Sequence, residues 1–238
     1  MMTILCKISK NFFVLLATVF LCNLSFADRL VYLDTLEGAQ RLEHADLNQQ
    51  YFSIAHYVDT QENLGFCGPA SMAAALNSLP AINRPQPPSL DGYAFFTQRS
   101  LFTPQSSQVK TYDVVANEGF QLQQAREFLT KLNVSNRIVY GSDLTIDQLR
   151  SIARKTLGNK NDRMLVDFDR RVLKQNGSGH FSPIGAYDSA TDSVLILDVA
   201  KFKYPPFWVS LTDLLNAIQT IDPDSGRTRG LLIIETGG

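Results

Sequence analysis

Cys67 stands within residues 61–79, QENLGFCGPASMAAALNSL, between a loop carrying Gly65 and an alanine-rich apolar run. Gly68 and Pro69 punctuate the chain immediately after it. Proline is tolerated in the first turn of a helix, because the N–H it lacks would have no partner there anyway. The spacing therefore predicts a helix that opens at Cys67 and is stopped by Pro80. The N-terminus of a helix points backbone N–H groups and the positive end of the dipole at such a thiol, which favours thiolate, the nucleophilic form. Gln61, upstream, brings a side-chain amide donor, and the Cys67 backbone N–H is a second donor. Together they could hold the oxyanion formed when a thiolate attacks an acyl carbon. The bland alternatives are a buried core cysteine and a surface glutamine.

A thiol nucleophile needs a group that takes and returns a proton. The sequence has 3 histidines. His44, in RLEHADLNQQ, and His56, in FSIAHYV, read as surface or packed residues. His180 follows the flexible NGSG and opens a strand-like run, HFSPIGAY; the turn residues DSATD come next, then a second apolar strand, SVLILDV, that ends near Asp198. A hairpin turning at Ser189 would set His180 and Asp198 opposite each other on neighbouring strands. A carboxylate there fixes the imidazole tautomer and supports the imidazolium.

The elements that must position these groups are legible in outline. A chain of 238 residues, 45% hydrophobic and 19% charged, is large enough for a substantial core and defaults to one compact domain. A formal charge of −1 gives no basic surface for nucleic acid. Lys7 and Lys10, the apolar run FFVLLATVFLC and the small-residue SFA ending at Ala27 have the order of a secretory signal. Residues 1–27 are thus expected to be removed. Residues 28–238 would form the catalytic domain, periplasmic or secreted from a bacterium, without stable membrane association after cleavage. Of Cys6, Cys22 and Cys67 only Cys67 would remain, with no internal disulfide partner. Helical periodicity covers residues 121–132 and 212–221, the second with Ser210 and Asp213 as a capping box. RMLVDF, SPIGAY, SVLILDV and GLLIIE read as strands, and INRPQPPSLDGY as a connecting loop. The pattern implies an α+β body, with a helical lobe carrying Cys67, a sheet lobe carrying His180 and Asp198, and the site in the cleft between them. The sequence carries no repeat, phosphate loop or zinc-ligand set.

FCGPASMAAALNSL, GSGHFSPIGAY and LDVAKFKYPPFWV together resemble the phytochelatin synthase family, specifically its short bacterial and cyanobacterial type, from about residue 51 to the C-terminus. The resemblance implies a papain-like two-lobed fold with Cys67 as nucleophile, His180 as general acid and base, Asp198 as its orienting partner and Gln61 in the oxyanion hole. It implies an attack on the Cys–Gly bond of glutathione that expels glycine. The γ-glutamylcysteinyl group left on the enzyme then passes to water or to the amine of a second glutathione. It further implies that an aspartate and an arginine near the C-terminus hold the γ-glutamyl end. In TIDPDSGRTRGLLII these are Asp222 and Arg229, suited to an ammonium and a carboxylate respectively; Asp167, in LVDFD, is a weaker candidate. The expected partners are glutathione and γ-glutamyl peptides, with a homodimer left open. No cofactor is required for the chemistry, and heavy-metal ions such as Cd²⁺ or Zn²⁺ would enter as activators or as glutathione thiolate complexes. Plant and fungal relatives continue into a cysteine-rich extension where this sequence stops at Gly238, which makes hydrolysis the expected main outcome. The competing readings are a general papain-like or leader-peptide cysteine peptidase and a non-catalytic metal- or thiol-binding protein. One remaining cysteine is poor equipment for the last, since soft-metal sites assemble several thiolates.

Overall fold

The computed structural model describes residues 30–80, 89–90 and 93–235. The expected signal at residues 1–27, and most of the INRPQPPSLDGY loop, lie outside the described residues.

Seven strands form one antiparallel sheet. In chain order they are β1 (Val31–Tyr32), β4 (Asn136–Tyr140), β5 (Asp162–Asp169), β6 (Gly179–Asp188), β7 (Ser193–Ile196), β8 (Phe207–Ser210) and β9 (Gly230–Glu235). Their spatial order is β1-β8-β7-β6-β5-β9-β4. A separate pair, β2 (Ser89–Leu90) and β3 (Tyr93–Ala94), forms a small ribbon. The helices are α1 (Leu36–His44), α2 (Gln49–Ile54), α3 (Cys67–Ser78), α4 (Tyr112–Glu118), α5 (Leu122–Lys131), α6 (Ile146–Leu157) and α7 (Leu211–Ile218).

Successive side chains of a strand point to opposite faces, and here both faces are covered. Leu165, Phe181, Leu195 and Leu232 belong to one buried cluster with Met72, Leu76 and the alanines of α3 and with Phe128 of α5. Met164, Val166, Ile184, Val194 and Ile233 belong to the other, with Leu149 of α6 and Leu214 of α7. Every residue of β5 is buried for this reason, the charged Asp162, Arg163, Asp167 and Asp169 included. The result is an α+β body with helices on both sides of an antiparallel sheet.

α3 is buried along its whole length. Its small side chains let the helix lie close on β6 and β5. Filling such a place from outside is not available, so truncating Leu76 or Met72 to alanine would cost about 2–5 kcal/mol. The C-terminal end of α3 is held by Arg163: Nε donates to Ser78 Oγ at 2.6 Å, and the guanidinium also reaches the Ser78 carbonyl. A cation at that end complements the helix dipole and the unpaired carbonyls. α3 is therefore anchored at the end away from Cys67.

The expected helices at 121–132 and 212–221 are found as α5 and α7, each shorter at its C-terminal end. The Ser210–Asp213 pairing differs in detail from a capping box. Ser210 Oγ accepts from the Asp213 N–H at 3.0 Å, but the Asp213 carboxylate accepts from that hydroxyl at 2.6 Å instead of reaching back to the Ser210 backbone. The reach of aspartate is one methylene shorter than that of the glutamate used in such boxes.

Candidate active site

The loop before α3 is built by Asn63. Its carbonyl accepts from the Phe66 N–H at 3.1 Å, and its side chain accepts from the Gly65 N–H at 3.0 Å. Gly65 is required by close approach, because a Cβ there would lie 2.1 Å from the Val115 carbonyl oxygen. Cys67 opens α3 as expected, with Pro69 in its first turn. The backbone of Phe181, the residue after His180, and that of Gly68 lie near enough to the sulfur to favour its charged form. α3 is thus brought against the start of β6 at the point where the histidine stands.

The thiol itself differs from expectation. Burial pushes Cys67 up to about 11, and the charge of Asp167 adds to the rise; the backbone of Phe181 and of Gly68 and the charge of Arg170 work in the other direction. Desolvation disfavours the charged form more than the helix N-terminus favours it, since the sulfur is almost wholly enclosed. Burial likewise lowers the affinity of His180 for a proton, against the pull of Asp198. Both directions, a raised thiol and a lowered imidazole, favour the uncharged forms of the two groups.

His180 Nε2 lies 3.0 Å from Asp198 Oδ1 and 3.0 Å from Ser182 Oγ. The two sequence-predicted partners meet, but in another register. A turn at Ser189 would have put them directly opposite; instead Asp188 pairs with Ser193, and the register shifts between Ile184 and Ala186. Such a bulge inserts one residue into one strand. Asp198 falls beyond the end of β7, and the following residue, Val199, donates its N–H to Ser182 Oγ at 3.4 Å. The carboxylate therefore reaches His180 diagonally. Phe168 meets the imidazole edge-on, with ring centroids 5.7 Å apart.

Asp198 has no solvent exposure. Burial works against its charge, but His180 and Arg170 hold the carboxyl below its usual range. Arg170, itself 2% exposed, donates Nη2 to Asp198 Oδ1 at 2.8 Å and Nη1 to Gln175 Oε1 at 2.7 Å. Its guanidinium lies between the rings of Phe168 and Tyr204, 5.6 and 5.2 Å from their centroids. Neither Arg170 nor Ser182 stands out in the sequence. A buried arginine carries no local signature, although its place just after the strand LVDFD, beside the glycine-rich turn, was available as a hint.

Gln61 is 5% exposed. Its N–H donates to the Val199 carbonyl at 2.9 Å, tying it beside Asp198, and Nε2 donates to the Asn63 carbonyl at 2.7 Å. An amide nitrogen carries two hydrogens, so a second donor remains. The buried Oε1 has no partner among the described residues.

Cys67 opens onto a cleft of about 330 Å³ whose lining includes Leu64, Phe120, Phe181, Asp167, Asp222 and Arg229. Arg229 Nη1 lies 3.6 Å from Asp222 Oδ1 and 3.9 Å from Asp167 Oδ1. Among the described residues no group of three or more His, Cys, Asp and Glu converges as a metal site.

A sequence profile of phytochelatin synthase matches residues 21–231. This chain belongs to the phytochelatin synthase family. Among curated relatives, glutathione gamma-glutamylcysteinyltransferase 2 of Arabidopsis thaliana is 35% identical over 184 residues, which are 77% of this chain and 39% of the relative. Glutathione gamma-glutamylcysteinyltransferase of Schizosaccharomyces pombe is 34% identical over 192 residues, 79% of this chain and 44% of the relative. A Lotus japonicus glutathione gamma-glutamylcysteinyltransferase is 31% identical over 186 residues, 78% and 36% respectively. The chain thus spans well under half the length of these relatives. In this phytochelatin synthase family member, the helix-borne thiol lies near the backbone of the residue after His180, the imidazole is paired with a buried carboxylate, and an arginine stands between two acids in the cleft onto which the thiol opens.

Proposed function

We propose that this chain is a thiol acyltransferase of the glutathione gamma-glutamylcysteinyltransferase type, with a papain-like arrangement of nucleophile and base. The observation that carries the proposal is that Cys67 and the Asp222–Arg229 pair line one cleft. The α-ammonium of the γ-glutamyl head would sit at Asp222 and its α-carboxylate at Arg229, a guanidinium fork matched to a carboxylate.

His180 Nδ1 takes the Cys67 proton as sulfur attacks the carbonyl carbon of the Cys–Gly bond. Nε2, held by Asp198, fixes the tautomer that leaves Nδ1 free to accept. The oxyanion is held by the Cys67 N–H, a helix-end donor without an intrahelical partner, and by Gln61 Nε2. The C–N bond then breaks, the proton on His180 goes to the departing glycine amine, and a thioester remains on Cys67. Water attacks the thioester, His180 takes its proton, the C–S bond breaks and the thiol re-forms with release of γ-glutamylcysteine. An amine of a second glutathione can replace water and lengthens the peptide. Positioning of that amine can be worth about 7–11 kcal/mol of barrier. One buried acid–arginine set lines the cleft, so hydrolysis is the main outcome and oligomers are minor. Cd²⁺ or Zn²⁺ enters in this scheme as the glutathione thiolate complex or as an activator. The signal-like order of residues 1–27 supports export to the periplasm, tested by whether N-terminal sequencing after bacterial export finds Asp28 or Met1.

Mass spectrometry of products after incubation with glutathione, with and without Cd²⁺ and beside an unstructured polypeptide, tests the reading. Glycine and γ-glutamylcysteine are expected from glutathione. Cleavage of the polypeptide with glutathione left intact would replace this reading by that of a general peptidase.

A further inference from the structure

β5 places Asp167 opposite Phe181 of β6, whose backbone lies near the Cys67 sulfur. Asp167 thus stands between the nucleophile and the Arg229 end of the cleft. Its side chain is buried and faces charge from every side: Arg229 at the start of β9, Asp222 across the same Nη1, Asp169 on its own strand and Cys67 on α3. Burial pushes Asp167 up to about 7; Arg229 pulls it down, while Asp222 and Asp169 push it further up. Asp169 is itself occupied by Arg171, whose Nη2 lies 2.6 Å from Oδ2.

Once Asp167 is ionised, one guanidinium between two buried carboxylates leaves an excess negative charge in a poorly solvated place, which a cation would relieve. Arg229 meanwhile is 4% exposed, lines the cleft, and its Nε has no hydrogen-bond partner among the described residues. Gly179 makes room for that side chain, since a Cβ there would lie 3.0 Å from the guanidinium carbon. A cation deficit and a spare donor side by side match a head group with an ammonium and a carboxylate on one carbon.

We propose that Asp167 is a second receptor for the α-ammonium of the donor peptide, sharing it with Asp222 across Arg229, so that the cleft selects a zwitterionic amino-acid head over a plain carboxylate chain. The inference rests on the glutathione reading above and adds to it a residue that determines specificity. A protonated Asp167 offers the ammonium no charge, so selectivity for the head group grows as the pH rises.

The test compares cleavage of glutathione with that of its des-amino analogue, glutaryl-Cys-Gly, from pH 5.5 to 8. The ratio of their kcat/KM values should rise with pH in the wild-type protein. Asp167→Asn should flatten that rise and reduce the ratio at pH 8 by about 10- to 100-fold, the worth of a hydrogen bond to a charged group. Asp167→Glu should recover part of it. A ratio that does not vary with pH in the wild-type protein, or that survives Asp167→Asn, overturns the assignment; should that variant not fold, the wild-type profile alone decides. Failure of the wild-type protein to cleave either peptide would overturn the glutathione reading and this inference with it, whereas cleavage with a flat ratio overturns the role of Asp167 alone.

Discussion

Arg170 Nη2 lies 2.8 Å from each carboxylate oxygen of Asp198, the residue that also contacts His180. The arginine keeps Asp198 charged in a place without solvent, and the carboxylate in turn fixes the imidazole. The orientation of the imidazole therefore depends on a cation that is not among the residues lining the Cys67 cleft. Removing one member of a buried pair leaves the other uncompensated, which is worse than removing both.

Arg170→Met is expected to destabilise the protein by about 3–5 kcal/mol. Urea unfolding measures it, and the double variant Arg170→Met/Asp198→Asn should be more stable than the single one. Equal or lower stability of the double variant would mean that the pair is not the source of the loss.

Cys67→Ser and His180→Ala should each lower kcat for glycine release by at least about 10³-fold, because both act on the same bond-making step. Asp198→Ala should retain a trace of activity. Gln61→Ala should lower kcat by about 10²-fold with little change in KM, as for loss of one oxyanion donor. Near-wild-type turnover by either of the first two variants would remove the acyl-enzyme from consideration.

Burial holds Cys67 as thiol up to about 11. Alkylation by iodoacetamide in the protein without substrate should therefore climb with pH from 6 to 9, about tenfold per unit, as the thiolate fraction grows. A rate already level at pH 6 would reveal a preformed thiolate–imidazolium pair and contradict the burial argument.

Asp167 gives a pH dependence that owes nothing to catalysis. Folded, it keeps its proton up to about 7; unfolded, it releases it near 3.8. Between those values the folded state binds more protons, so stability falls as pH rises. Asp167→Asn lacks that loss, and Arg229 retains Asp222 at 3.6 Å as its partner. The variant's stability relative to the wild-type protein should thus increase from pH 5 to pH 8 in guanidinium unfolding. A constant difference would show that Asp167 is already ionised in the folded protein at pH 5.

The sequence by itself determined the features that are written locally. Gly68 and Pro69 after Cys67, with Pro80 beyond, mark α3 because backbone restrictions act within a turn. The apolar runs of β5, β6 and β9 mark strands because their side chains fill both faces of a sheet. The place of His180 between a glycine-rich turn and a strand sets it apart from His44 and His56 in the sequence. The tertiary structure decided the rest. The turn pairs Asp188 with Ser193, and even after the irregularity between Ile184 and Ala186 the register leaves Asp198 out of direct opposition to His180; where a turn closes is not written in the apolar pattern. Burial of Cys67 outweighed its helix N-terminus, which is a matter of how closely α3 lies on β6. Arg170 meets Asp198, and Asp167 meets Arg229, only after β5, β6 and β9 are laid side by side. Charge pairing across strands depends on distances in space and on the exclusion of water, and neither is encoded in the immediate neighbours of a residue.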